Sequence, residues 1–220
     1  MSRGRAGPLL RRYAVAFGYL AAFTIAEIVY GALPGRGQAA LVGWASTSVH
    51  NLEHNPVGSL VVSALVPTGS LLAWPLLIAL AMFGANHVLG NWRTALTCAA
   101  AHVLGTLLSE GIVAYRVAHG ALPAADRYLT DVGPSYIVVA AIAVALLHGG
   151  WRPRTAAALD FLLLIFVGQI FSGLTRLQVA AVGHLTAFVT GAVLGSFLLV
   201  RQRAKAASQP AGTSARSSRR

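Results

Sequence analysis

Ser135 and His184 are the residues whose types and placement best suit chemistry. Ser135 stands in Asp131-Val132-Gly133-Pro134-Ser135-Tyr136, at the mouth of an apolar run from Ile137 to Leu147. His184 stands inside a second apolar run, beside Gly183, with Gly191 and Gly195 following at i+7 and i+11. A serine hydroxyl deprotonated by an imidazole is a two-residue nucleophile and base, the reagent of acyl transfer. Gly133 permits a tight turn and Pro134 suits the first helical position. Ser135 then falls in a first turn, where unpaired N–H groups and the positive end of the helix dipole favour an oxyanion. The same segment has a simpler reading, in which Ser135 helps cap the helix. His184 has one too, as a hydrogen bond between helices, with glycines on its face that let another backbone approach.

A second constellation is His50-Asn51-Leu52-Glu53-His54, which has the H-x-x-E-H form of an inverted zinc-protease motif. That chemistry needs a stable helix and a third ligand. Asn55-Pro56 cuts the helix short, and nothing downstream offers a ligand on the same side. We expect no metal and no cofactor. His50, Asn51 and His54 read instead as polar residues of an interfacial loop, available to donate to an oxyanion.

These residues lie in a chain built for lipid. Of 220 residues, 56% are hydrophobic and only 10% charged, with a mean hydropathy of +0.66. A soluble domain carries about 25% charged residues, so the expectation is one polytopic membrane domain. The net charge of +11 does not point to nucleic acid, because no aromatic residues are interleaved with the basic ones as a base-stacking surface requires. Cys98 is alone and forms no disulfide within the chain.

Residues 1–12 form a basic tail. The first span is Tyr13 to Ala32, too long for a signal-peptide core. Residues 33–68 are mixed: Pro34, Gly35 and Gly37 break the helix, Trp44 suits an interface, and Val57 to Val66 reads as re-entrant or surface-lying. Further spans follow at 70–90, 94–115, 133–150, 155–175 and 178–200, and 201–220 is a basic tail of disordered composition. With the N-terminus in the cytoplasm, thirteen basic residues fall inside and four (Arg36, Arg116, Arg127, Arg176) outside. This bias predicts six spans, both ends in the cytoplasm, in the cell membrane. Ser135 then sits at the outer end of span four and His184 about 9 Å below the outer end of span six. Span four is the shortest, so its start can lie deep enough for the two to share a level.

Glu27, Glu110, Asp160 and His102 also fall inside spans, where ionisable groups are functional candidates. Asp160 is expected to pair with Arg152 or Arg154. A small transporter is a further reading, although inverted repeats and paired broken helices are missing.

A Gly-x-Ser turn opening span four, followed by a histidine with small residues at fixed spacing in span six, resembles the rhomboid intramembrane serine proteases. The six-span layout and long first outer loop are similar too. The resemblance covers residues 13–200 in architecture, and its motifs are 133–135 and 184–195. It implies an all-α, six-transmembrane-helix rhomboid-like bundle with Ser135 as nucleophile and His184 as base, cleaving transmembrane protein substrates. Three features depart from the family's pattern. Tyr136 stands where a small residue is usual, Pro134 has no N–H to offer an oxyanion, and Leu72 and Leu76 stand where span two usually has His and Asn. The resemblance therefore also admits a catalytically inactive member that binds transmembrane partners.

Overall fold

The computed structural model describes residues 6–67 and 73–208. Ten α-helices are present there: α1 (Ala6–Arg12), α2 (Ala14–Ala32), α3 (Gly35–Ala45), α4 (Val49–His54), α5 (Pro56–Ser63), α6 (Ala73–Leu89), α7 (Asn91–Ala118), α8 (Ser135–His148), α9 (Trp151–Phe166) and α10 (Val179–Ala207). No strand occurs among the described residues. Six helices, α2 and α6 to α10, form the bundle and fall on the six expected spans. By length and composition, α2, α7 and α10 suffice to cross a membrane. Their outward faces carry exposed Ile25, Ile28, Leu104, Leu107, Val189 and Val193, a surface suited to lipid rather than water.

The bundle is arranged around α8. Every residue from Tyr136 to Ala145 is buried, because α6, α7, α9 and α10 all pack on it. Apolar residues on all sides with no polar face are the pattern of a helix enclosed by others. Its 14 residues cover about 21 Å, short of the roughly 30 Å hydrocarbon core. Unpaired backbone at that depth needs protein cover, and the loop that follows α2 supplies it. Gly133 N–H donates to the Ser63 carbonyl (2.8 Å), and Thr47 N–H to the Asp131 carbonyl (2.9 Å). Ser46 Oγ accepts from Asp131 N–H at 2.9 Å.

That loop consists of α3, α4 and α5. Helix α5 buries Ser59 and Ser63 while Val57 and Val61 stay exposed. Apolar-out, polar-in is the pattern of a helix lying against lipid. Glu53 receives Arg127 Nη2 on both oxygens (2.5 and 2.6 Å), tying α4 to the 119–134 connection. This hydrogen bonding holds the Glu53 carboxyl below the usual carboxylate range.

The opposite end is pinned by two asparagines. Asn86 accepts from Ala16 N–H and donates to the Arg12 carbonyl (3.3 and 3.1 Å). Asn91 accepts from Val15 N–H and donates to the Arg11 carbonyl (3.3 and 2.7 Å). The start of α2 is thereby fixed to the α6–α7 turn.

Three expectations change. The fifth span ends at Phe166 rather than 175, because Gln169, Gly173 and Leu177 adopt positive φ (49°, 78° and 55°) and turn the chain. The sixth continues to Ala207, since Ala, Arg, Gln and Lys after Val200 are strong helix formers. Asp160 makes no ion pair: both its carboxylate oxygens are buried without a hydrogen-bond partner. Arg154 Nε donates to the Leu146 carbonyl instead, and Arg152 lies over the Trp151 ring.

Candidate functional site

The seam between α8 and α10 decides what the site can do. A Cβ added to Gly191 would lie 2.5 Å from the Ala140 carbonyl oxygen, and one on Gly195 2.8 Å from Val144 Cγ2. A Cβ on Gly183 would overlap the Tyr136 hydroxyl and ring. The two helices therefore run in parallel, with residues 136, 140 and 144 of α8 facing 183, 191 and 195 of α10. Gly191 lets the α8 backbone approach closely, Gly195 receives the Val144 side chain, and Gly183 extends the same row. The i, i+4 spacing on α8 makes one continuous ridge.

Tyr136, not Ser135, opens that ridge. Ser135 is one residue earlier and about 100° round the helix. The Tyr136 ring meets the His184 ring edge to face, with centroids 5.1 Å apart, and the His102 ring at 6.0 Å. A Cβ on Gly105 of α7 would lie 3.2 Å from Tyr136 Cδ2. Where a shared level was expected for Ser135 and His184, the side chain in contact with His184 is that of Tyr136.

Gly133 has φ 129°, a conformation that favours glycine, and its turn brings Asp131 back over the helix start. Tyr136 Oη donates to Asp131 Oδ2 at 2.9 Å and lies 3.4 Å from the Val179 carbonyl. Thr47 Oγ1 lies 3.3 Å from the same carboxylate oxygen. Burial raises the Asp131 carboxyl, and the Tyr136 and Thr47 hydrogen bonds pull it back down. Because the net shift is upward, stability from this group is fully present below its unfolded pKa. It is lost as pH rises through the folded one.

His184 donates from Nδ1 to the Ile170 carbonyl at 2.8 Å. That carbonyl is in reach only because α9 stops early and Ile170 folds inward. With the proton on Nδ1, the Nε2 lone pair is the free one; Nε2 is buried and bonded to nothing. No hydrogen bond joins Ser135 to His184, and the helix cap at Pro134 has no side-chain partner, so Ser135 is not the cap. On α7, His102 Nε2 lies 2.9 Å from the Leu60 carbonyl and 3.3 Å from Ser63 Oγ, tying α5 to the bundle. Glu110 is buried with both carboxylate oxygens unpartnered.

The remaining site residues have other partners. Asn51 Nδ2 donates to the carbonyls of Gly43 (2.7 Å) and Ser46 (2.8 Å) at the end of α3. His54 Nδ1 lies 2.8 Å from the His50 carbonyl, and His50 packs on Tyr128 with ring centroids 4.8 Å apart. None of the three bonds to Ser135 or His184. They build the loop that follows α2. Leu76 lies on α6 facing α9, whereas Leu72 is outside the described residues.

Sequence reasoning missed two participants, Gly183 and Asp131. Gly183 was legible as the residue that continues the 191–195 row two levels up. Asp131 gains its partners only through the turn at Gly133, which has no spacing signature.

An apolar cleft of about 280 Å³ opens between α6 and α9 at the same end of the bundle. Ala73, Leu76, Leu77, Leu163, Val167 and Gly168 line it.

Comparison with known proteins agrees with this architecture. The family model described as rhomboid-like protein matches residues 9–206. No curated protein and no solved structure matches the chain. With nearly every described element inside the matched region, the chain belongs to the rhomboid-like family of membrane proteins.

Proposed function

We propose that this is a non-cleaving rhomboid-like protein that binds transmembrane segments of partner proteins laterally, in the α6–α9 cleft. One observation carries the reading: Tyr136 stands against His184 where a serine–histidine dyad needs the hydroxyl. The position on α8 that faces α10 is filled by a ring anchored to Asp131, and Ser135 is turned off that face. Pro134 offers no N–H, and losing one oxyanion donor costs about 10²–10³ in rate. The cleft supports the binding half. It is apolar, opens towards lipid and has small residues, Ala73 and Gly168, at its wall. Such surfaces let a helix approach in a bilayer, where packing rather than the hydrophobic effect drives association. Both termini are assigned to the cytoplasm of a cell-membrane protein, on the strength of the basic residues clustered at the terminal end of the bundle.

A second reading rests on His184 itself. Its Nε2 lone pair is buried and unused, as a base for Ser135 requires; the enzyme would then be a serine endopeptidase cutting transmembrane substrates.

A fluorophosphonate probe separates the two. Purified folded protein should show no labelling beyond that of Ser135→Ala. Labelling that disappears in Ser135→Ala establishes the endopeptidase instead. The binding half is read with a photo-crosslinking residue at Leu163, in the cleft, or at Leu108 on the lipid face of α7. Co-reconstituted single-span protein should crosslink several-fold more at 163, and equal yields overturn the lateral site.

A further inference from the structure

At the terminal end of the bundle, α6 and α9 enclose a second groove, of about 480 Å³. Leu80, Phe83 and Ala156 are among the residues of its apolar wall, and Tyr13, His87 and Arg152 stand at its mouth. We propose that it is a binding site for one anionic phospholipid, with the headgroup phosphate at His87 and Arg152 and an acyl chain along Phe83, Leu80 and Ala79.

The depth fits a lipid. His87 lies at the end of α6, and Ala79 is eight residues nearer the middle of the bundle, about 12 Å along the helix axis. Exposed Trp92 and Trp151 lie at this same end, with Arg93 and Arg152 stacked on them at 4.9 and 5.2 Å. Tryptophan with arginine marks the headgroup level of a bilayer. The mouth of the groove thus lies at the phosphates, and its wall lies among the acyl chains.

The mouth is also built for an anion. Tyr13 Oη donates to His87 Nδ1 at 2.9 Å, and Arg12 Nη2 lies 3.4 Å from the same nitrogen. A guanidinium only donates, so Nδ1 accepts and the ring proton is on Nε2. The Nε2–H group has no partner within the described protein, and His87 is exposed. The backbone that carries Arg12 and Tyr13 is held in place, because Asn86 and Asn91 donate to the Arg12 and Arg11 carbonyls respectively. The charge at this end is uniformly positive among the described residues: Arg11, Arg12, Arg93, Arg152, Arg154, Arg201, Arg203 and Lys205. The nearest acid on α9, Asp160, is fully buried, two turns deeper. A zwitterionic headgroup would bring its cation into this field; an anionic one brings only the complementary charge. Gly84 lets α6 close on α8 and α9 behind the groove, where a Cβ would come within 3.0 Å of Ala145 Cβ and 3.6 Å of Pro153 Cβ.

Native mass spectrometry of the full chain in neutral detergent tests this, with dioleoyl phosphatidylglycerol or dioleoyl phosphatidylcholine added. One phosphatidylglycerol should be retained per chain, and phosphatidylcholine should bind at least severalfold more weakly. Arg152→Gln should weaken phosphatidylglycerol binding about fivefold, the worth of one basic residue at a membrane surface. Ala156→Phe should abolish it by filling the groove. Arg93→Gln, at the same level but outside the groove, should leave it unchanged, and inorganic phosphate should not compete. The site is overturned if the two lipids bind equally, if Ala156→Phe still retains the lipid, or if Arg152→Gln and Arg93→Gln act alike. Arg152 is exposed, so that variant reads the headgroup contact without disturbing the fold.

Discussion

Gly191→Val is expected to be the most damaging single change on α10. The added Cβ would sit 2.5 Å from the Ala140 carbonyl oxygen and 2.8 Å from its Cα. These are backbone atoms of a helix enclosed on every side, so α8 cannot move aside without displacing α6, α7 and α9. Overpacking of a filled core costs about 1–3 kcal/mol, and a backbone obstacle with a β-branched side chain puts this site at the upper end. For a chain of this length that is a fall in unfolding midpoint of roughly 5 °C or more. Gly191→Ala should fall in the same direction by less. Gly111→Ala supplies the contrast, since nothing lies within 4 Å of a Cβ at that exposed position on α7. There the gain in helix propensity, up to about 1 kcal/mol, should raise the midpoint slightly. Thermal unfolding in detergent reads all three, and equal effects at 191 and 111 would remove the close seam from the account.

Tyr136→Ala should have the next largest effect. The ring is 3% exposed and fills the space among Gly105, His102, Gly183 and His184. Removing a buried aromatic side chain costs about 3–5 kcal/mol, the spread reflecting how far the cavity collapses. Here the walls are helices held by their own seams, so collapse is limited. Tyr136→Phe isolates the hydroxyl: Asp131 loses one donor but keeps Thr47, and the cost should be about 1–3 kcal/mol. If Phe and Ala destabilise equally, the hydrogen bond and not the packing is what matters. The same variants bear on chemistry. With the ring gone, space opens beside the His184 imidazole, and fluorophosphonate labelling of Ser135 in Tyr136→Ala would mark the tyrosine as the block.

Much of this was legible in one dimension. Six apolar runs separated by polar or Pro/Gly-containing stretches, with basic residues biased to one set of connections, specify a polytopic bundle. Lipid imposes that pattern residue by residue, and no long-range information is needed to see it. Gly191 and Gly195, read as places of close approach, are such places, because a missing Cβ is a property of the residue itself. The apolar run after Ser135 was legible as the shortest span; its enclosure by four other helices was not.

The site was harder. Ser135 and Tyr136 are neighbours in the chain, and spacing alone assigns either to the α10-facing ridge. A rotation of about 100° about the α8 axis separates a dyad from an aromatic plug. That rotation is set by the Gly183–Gly191–Gly195 row, by Asp131 held over the helix start, and by the fit of α8 against four neighbours at once. The His184–Ile170 bond depends likewise on where α9 turns back. Composition and hydropathy thus specified a polytopic helical bundle, and the motifs at 133–135 and 184–195 carried its resemblance to the rhomboids. Which side chain meets His184 was settled by helix packing, because azimuth is fixed by what touches a helix and not by the order of residues along it.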